Sequence, residues 1–255
     1  MGIFLSVLIP CYNEQENLRR DVLKQVYEHL KKKKFSWEVI VSDDGSTDDS
    51  VKVAEAKIKT LRGFRLLKNP HGGKPSTLNF AIKAAKGEYV LFTDMDQSTP
   101  IAELGKLLPH VKKHEVVIGS RGRNRKDFPL YRQLGAIVFA TFRKSMLLRN
   151  INDTQCGFKL FKKSIVAKAF PNLQSFKVKQ RVEGWKVTSY DVELLHIISK
   201  MGHEIKEVVV KWQDEDTSTS KGEGLSRYIR ESNEMVGQIL RVKLNDLRGE
   251  YKVGK

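Results

Sequence analysis

Apolar runs and amphipathic stretches alternate along the first half of this chain, and that alternation limits its fold more than any other feature. Residues 4–9 are apolar and β-branched and stop at Pro10, the pattern of a buried strand. Over residues 14–34, Leu18, Val22, Leu23, Val26 and Leu30 recur at helical spacing. Residues 38–42, 64–68, 89–93 and 116–119 repeat the strand pattern. Residues 49–60, 76–86 and 100–114 repeat the helical one, with residues 71–75 read as a loop. Strands separated by helices predict an α/β fold: a parallel sheet with helices on both faces. Ligands of such sheets bind beyond the carboxyl ends of the strands.

The second half is less regular. Residues 130–149 place Arg132, Arg143, Lys144 and Arg149 around an apolar centre at 134–140, an amphipathic helix. Residues 190–201 form another helix and 207–212 a strand. Residues 214–224, rich in Ser, Thr, Gly and acids, read as a mobile loop. The organisation expected is one domain over 1–222, with halves 1–119 and 120–222, and a basic helical extension over 223–255.

No run approaches the roughly 18 apolar residues of a membrane span. The N-terminus lacks a basic segment and a cleavage site and reads as a first strand, not a signal peptide. The only cysteines, Cys11 and Cys156, make no disulfide framework or zinc cluster, so a reducing, cytoplasmic setting is expected. The formal net charge is +16. Residues 109–186 hold 18 Lys/Arg against 4 Asp/Glu, the rest of the chain 28 against 26, so one stretch carries the excess. An anionic partner is implied. Nucleic acid is the poorest choice, since it leaves a series of carboxylate motifs unexplained.

Those motifs sit at strand ends: Pro10-Cys11-Tyr12-Asn13-Glu14, Asp43-Asp44-Gly45-Ser46-Thr47-Asp48, Gly73-Lys74-Pro75-Ser76 and Asp94-Met95-Asp96-Gln97-Ser98-Thr99-Pro100. Two acids one residue apart, Asp94 and Asp96, can share a hard divalent cation that takes further ligands from substrate phosphates. Lys74, after two glycines, can approach a phosphate as a point charge. Tyr12 can cover a base, and Glu14 and Asp44 can accept hydrogen bonds from a base or ribose. Asp43, Asp44 and Asp48 also suit a turn and a helix cap. A fifth motif, Asp153-Thr154-Gln155-Cys156-Gly157-Phe158-Lys159, lies in the basic half. The six histidines show no ligand spacing.

Over roughly residues 6–221, these motifs in this order resemble inverting glycosyltransferases of family 2, and within them the branch that moves a sugar from a nucleotide donor to a dolichyl or other polyprenyl phosphate. The Asp-Thr-Gln-Cys-Gly-Phe-Lys and Asp-Gln-Ser-Thr-Pro segments resemble the glucosyl members more than the mannosyl ones. The resemblance implies a GT-A type fold, with residues 1–119 as the nucleotide-sugar half and 120–222 as the acceptor half. It implies UDP-glucose as donor, bound by Pro10, Tyr12, Glu14, Asp44, Lys74 and Asp94, and Mg²⁺ or Mn²⁺ held by Asp94 and Asp96. It places Arg121, Arg132 and Lys221 near the acceptor phosphate, where a guanidinium fork suits two oxygens. It offers Asp96, Asp153, Arg121 and Arg132 as catalytic, with Asp153 as base or acceptor-orienting carboxylate, and puts Asp191 and Glu193 close by. A lipid acceptor implies peripheral contact with an anionic membrane on its cytoplasmic face, for which residues 130–149 are the candidate helix. The alternative is a family 2 transferase acting on a soluble or polysaccharide acceptor.

Overall fold

The computed structural model describes residues 2–122, 141, 144, 146–177, 190–213 and 225–251, with side chains from 236 onward in the last of these. Its elements in chain order are β1 (Leu5–Cys11), α1 (Gln15–Arg19), α2 (Val22–Leu30), β2 (Trp37–Asp43), α3 (Ser50–Ile58), β3 (Phe64–Lys68), α4 (Gly73–Ala84), β4 (Tyr89–Phe92), α5 (Leu104–Leu107), β5 (Val116–Ser120), β6 (Lys159–Lys162), α6 (Lys163–Ala169), α7 (Gln174–Lys177), α8 (Tyr190–Lys200), β7 (Ile205–Val209) and α9 (Leu225–Leu247).

Among the described residues, seven strands form one sheet in the order β3-β2-β1-β4-β6-β5-β7. Strands β1 to β4 pair in parallel, as the alternation predicts, and so do β5 and β7. The all-parallel expectation fails at β6, which runs antiparallel between β4 and β5, with Lys159 opposite both Phe92 and Ile118. Four residues bounded by lysines carry too little pattern to be read as a strand. The reversal matters for the site. Because β6 runs backwards, its entrance, residues 153–158, lies at the carboxyl ends of β4 and β5.

The strands are apolar on both faces because helices cover both. Leu8, Ile40, Val90, Phe92, Ile118 and Phe161 pack on one side with α4, α6, α8 and α9. Leu5, Val7, Val39, Leu91, Val117 and Leu160 pack on the other with α1, α2 and residues 101–107. Ile239, Val242 and Tyr251 of the C-terminal segment belong to the first layer.

The expected helix over 14–34 is broken into α1 and α2 at Asp21, whose φ of 60° lies in the left-handed region that Asp tolerates better than most residues. Helix α4 starts at Gly73, earlier than expected. Proline in a first turn lacks a donor the helix would not have used, so Pro75 does not block it. Residues 101–110 form short 3₁₀ and α turns instead of a continuous helix. Strand β7 begins two residues before its expected start.

Candidate active site

The first two loops lock together. Asn13, at φ 55°, receives hydrogen bonds on its Oδ1 from the Thr47 N–H (2.9 Å) and the Asp48 N–H (3.4 Å), while its own N–H donates to Ser46 Oγ. Asp43 accepts from the Gly45 and Ser46 N–H groups and from Ser46 Oγ, an Asx-type turn that Gly45 completes at φ 74°. Pro10 is buried, in register with Ser42. Glu14 Oε2 accepts from Asn17 Nδ2 at 2.6 Å. Tyr12 stacks on His71, with ring centroids 4.8 Å apart. These residues outline a platform at the ends of β1 and β2, where the nucleotide was expected.

Asp44 is anchored by the loop that follows β3. Its side chain is fully buried, and it accepts from the Gly72 N–H (3.0 Å), the Gly73 N–H (2.8 Å) and Thr77 Oγ1 (2.6 Å), with His71 Nδ1 at 2.9 Å. It therefore fastens the end of β2 to the first turn of α4, satisfying donors a helix start leaves without partners. It fixes the loop that carries Lys74 and the ring against which Tyr12 rests.

Lys74 Nζ lies 2.5 Å from Asp94 Oδ1, and its side chain is 13% exposed. Burial works against the charge on Lys74, but Asp94, Asp191 and Asp96 outweigh it and hold its pKa above the ordinary value. Asp94 goes the other way: burial pushes its carboxyl up, and Lys74, Lys159 and Arg121 bring it net below the usual range. Asp96 is raised, by burial and then by the neighbouring charge of Asp94. The turn holding both acids is braced by Gln97, at φ 53°, which donates to the Asp94 carbonyl and accepts from the Ile101 N–H. Asp96 accepts from the Ser98 N–H at 2.9 Å. Gly157 leaves room for Asp94; a Cβ there would overlap its Oδ2.

Between the end of β5 and the entrance of β6, Arg121 grips Asp153 with a fork: Nε to Oδ2 at 2.7 Å, Nη2 to Oδ1 at 2.8 Å, and the Arg121 N–H to Oδ2 at 3.0 Å. The guanidinium also lies over the Trp212 ring, 5.7 Å from its centroid. Burial would raise the Asp153 carboxyl, but the fork and the Gln155 N–H hold it well below the ordinary value. Asp153 is thus a fixed anion, poorly suited to take a proton at neutral pH. Glu207 of β7 accepts from the N–H groups of Asn152 and Asp153, at 2.9 and 2.7 Å, and so sets the turn that presents Asp153.

Two residues behind the site were not selected as site residues from sequence. Lys159 is buried and donates to Asp191 Oδ1 and to the Cys156 carbonyl, each at 2.5 Å. A lysine opening a buried strand is the signal that could have exposed it. Glu207 looked like an ordinary strand residue. Asp191 lies where the resemblance put it. Glu193 faces away from Asp94, accepting from Tyr251 OH (2.7 Å) and the Gln174 N–H (2.9 Å), with Arg241 at 3.4 Å. The structure thus gathers Asp94, Asp96, Lys74, Arg121 and Asp153, with Asp191 behind them. Arg132 and Lys221 lie outside the described residues, as do most of the expected 130–149 helix and the 214–224 loop.

The sheet, with paired acids at the end of its fourth strand, a lysine on one of them and an arginine fork beyond, is a GT-A type fold. Residues 6–170 match the model of glycosyl transferase family 2, and the chain belongs to that family. A dolichyl-phosphate beta-glucosyltransferase from Dictyostelium discoideum is 31% identical over 271 residues, an alignment covering 99% of this chain and 77% of that protein. Proteins of the same name from Saccharomyces cerevisiae (30%; 99% of this chain, 78% of the relative) and Homo sapiens (31%; 82% and 67%) are similar as well. Among solved structures, glucosyl-3-phosphoglycerate synthase from Mycobacterium tuberculosis, in complex with Mn²⁺, UDP and glucosyl-3-phosphoglycerate, shares the fold. Its TM-score is 0.61 at 18% identity, covering 100% of this chain and 82% of that one. Mannosyl-3-phosphoglycerate synthase from Rubrobacter xylanophilus gives 0.64 at 14%, covering 99% and 76%.

Proposed function

We propose that this chain transfers glucose from UDP-glucose to a polyprenyl phosphate such as dolichyl phosphate, inverting the anomeric configuration, at the cytoplasmic face of a membrane. The observation that carries this reading is the pairing of two charge devices on one sheet edge: Lys74 with Asp94 and Asp96 at β4, and the Arg121–Asp153 fork at β5. The near full-length likeness to dolichyl-phosphate beta-glucosyltransferases supports the same substrates.

The residues divide the work. Tyr12, on the platform braced by Asn13 and Asp44, covers the base. Lys74 meets the donor diphosphate, which exchanges one anionic partner for another as Asp94 yields the ammonium. Asp94 and Asp96 fit a divalent cation: they are hard oxygen donors on one braced turn, and burial, followed by the charge of Asp94, raises Asp96, so a cation between them would relieve the repulsion. Among the described residues no group of three or more His, Cys, Asp or Glu could hold a metal, so water and phosphate oxygens would complete the shell. Mg²⁺ or Mn²⁺ bound there would neutralise charge on the departing nucleotide.

Arg121, steered by Asp153, orients the acceptor phosphate, with Arg132 and Lys221 as further cationic partners. The phosphate oxygen attacks the anomeric carbon from the face opposite the diphosphate. A new carbon–oxygen bond forms as the bond to UDP breaks. The acceptor is already an anion and needs no base, so alignment and charge neutralisation supply the rate. A donor panel tests this: with dolichyl phosphate present, UDP-glucose should yield a β-linked glucolipid and GDP-mannose none. Mannolipid, or a soluble glucoside only, would refute the assignment.

A further inference from the structure

The C-terminal helix α9 shows two faces from residue 236 onward. Ile239 and Val242 are buried in the core layer it shares with α8. Val236, Leu240, Leu244 and Leu247 recur at four- and three-residue spacing on the outer side, and they are 37, 42, 52 and 71% exposed. At about 100° per residue, such spacing makes one continuous stripe. The same turn of the helix wheel puts Lys243 along one edge of the stripe and Arg248 along the other, while Arg241 turns inward to Glu193. The acids of this segment are drawn away: Asp246 lies 3.1 Å from Lys200, Glu250 3.3 Å from Lys177.

We infer that this outer face of α9 is a lipid-contacting surface that seats the protein on an anionic bilayer. A leucine stripe edged by cations is the pattern of a helix lying in the plane of a membrane interface, its apolar side among the acyl chains and its cations at the headgroups. Charge complementarity favours lipid: Lys243 and Arg248 stand where anionic headgroups would meet them, and the nearby acids are taken up by Lys200 and Lys177. A second copy of the chain fits poorly. Stable protein interfaces engage about 20–30 residues a side, and among the described residues this stripe offers four, edged by like charges that a twofold contact would bring together. The inference rests on and deepens the polyprenyl-phosphate reading. A surface-seated helix gives access to an acceptor whose chain is buried in the bilayer.

The test is co-sedimentation of the full chain with phosphatidylcholine vesicles, with and without phosphatidylglycerol, at low salt. The wild type should bind the phosphatidylglycerol vesicles and release at high salt. Leu240→Glu with Leu244→Glu should weaken binding at least about tenfold, by excluding two apolar side chains from the acyl region. Lys243→Gln should weaken it about fivefold, the loss of one interfacial cation. Both variants should keep the wild-type melting temperature and detergent-micelle activity, because these side chains stand outside the core and the site. Wild-type protein that ignores anionic vesicles, or a double variant that binds as well as wild type, would overturn the inference. So would a dimer, seen by light scattering, that the double variant splits. Vesicle binding without any lipid-linked sugar product would leave the inference standing and refute the acceptor instead.

Discussion

Replacing Asp153 with asparagine separates a positioning carboxylate from a catalytic base. The substitution keeps shape and removes the charge. In the wild type Asp153 accepts three hydrogen bonds from Arg121, two of them charge-assisted, and the side chains are 7% and 20% exposed. An asparagine must turn its NH₂ toward one of these donors, so at least one contact becomes repulsive. Breaking one side of a buried ion pair costs about 3–5 kcal/mol, and a chain of this size loses about 2–4 °C of melting temperature per kcal/mol. The expected drop is on the order of 10 °C. Acceptor turnover should fall at least about a hundredfold, since about 1.4 kcal/mol of misalignment is already tenfold. The assay combines thermal melts with transfer rates for Asp153→Asn, Arg121→Gln and the double variant. The pair should couple by roughly 2 kcal/mol or more, in the range for residues in direct contact. The pH profile of wild-type turnover should show no limb between about pH 5 and 8 belonging to Asp153, whose pKa is held well below that window. An Asp153→Asn enzyme that melts like wild type, does not couple to Arg121 and loses such a limb would show that Asp153 takes the proton.

Three further outcomes follow from the same geometry. Lys74→Met should weaken UDP binding by about 10–100-fold, the worth of a charge-assisted contact of about 1.5–3 kcal/mol, as read by isothermal titration calorimetry; unchanged affinity would remove Lys74 from the diphosphate. Gly157→Ala should cost about 1–3 kcal/mol of stability through its clash with Asp94, and weaken Mn²⁺-dependent UDP binding with it, as melts and titration would show. His196 is held below its ordinary value of 6.5, first by burial, although Asp246 pulls the other way. Its folded pKa is depressed, so the stability it contributes is present above 6.5 and fades as pH falls through and below it. Melts of His196→Leu should therefore decline less on acidification from about pH 7 to 5 than those of the wild type.

Much of the site was legible because polar residues stand where apolar runs stop, and in a parallel sheet those stops share one edge. Asp94, Asp96 and Lys74 could be placed this way, and the guanidinium of Arg121 came with the strand that ends at Ser120. Three things were not legible. The reversal of β6 depends on tertiary pairing of four residues, and only that reversal explains why Asp153 reaches Arg121 and Gly157 reaches Asp94. The role of Asp44 turned on which way its carboxylate faces: the sequence pattern fits a ligand and a cap equally well. The break at Asp21 hides inside an unbroken amphipathic pattern, because its apolar positions fit one helix as well as two. Arg132 and Lys221 lie outside the described residues and remain proposals on the strength of resemblance.

The most direct measurement is transfer of labelled glucose from UDP-glucose, with Mn²⁺ and dolichyl phosphate, into solvent-extractable lipid. The wild type should give lipid-linked label that requires dolichyl phosphate. Asp96→Ala and Arg121→Ala should abolish it while remaining folded by circular dichroism. Label appearing only in water-soluble products, or lipid label undiminished in Arg121→Ala, would contradict the account.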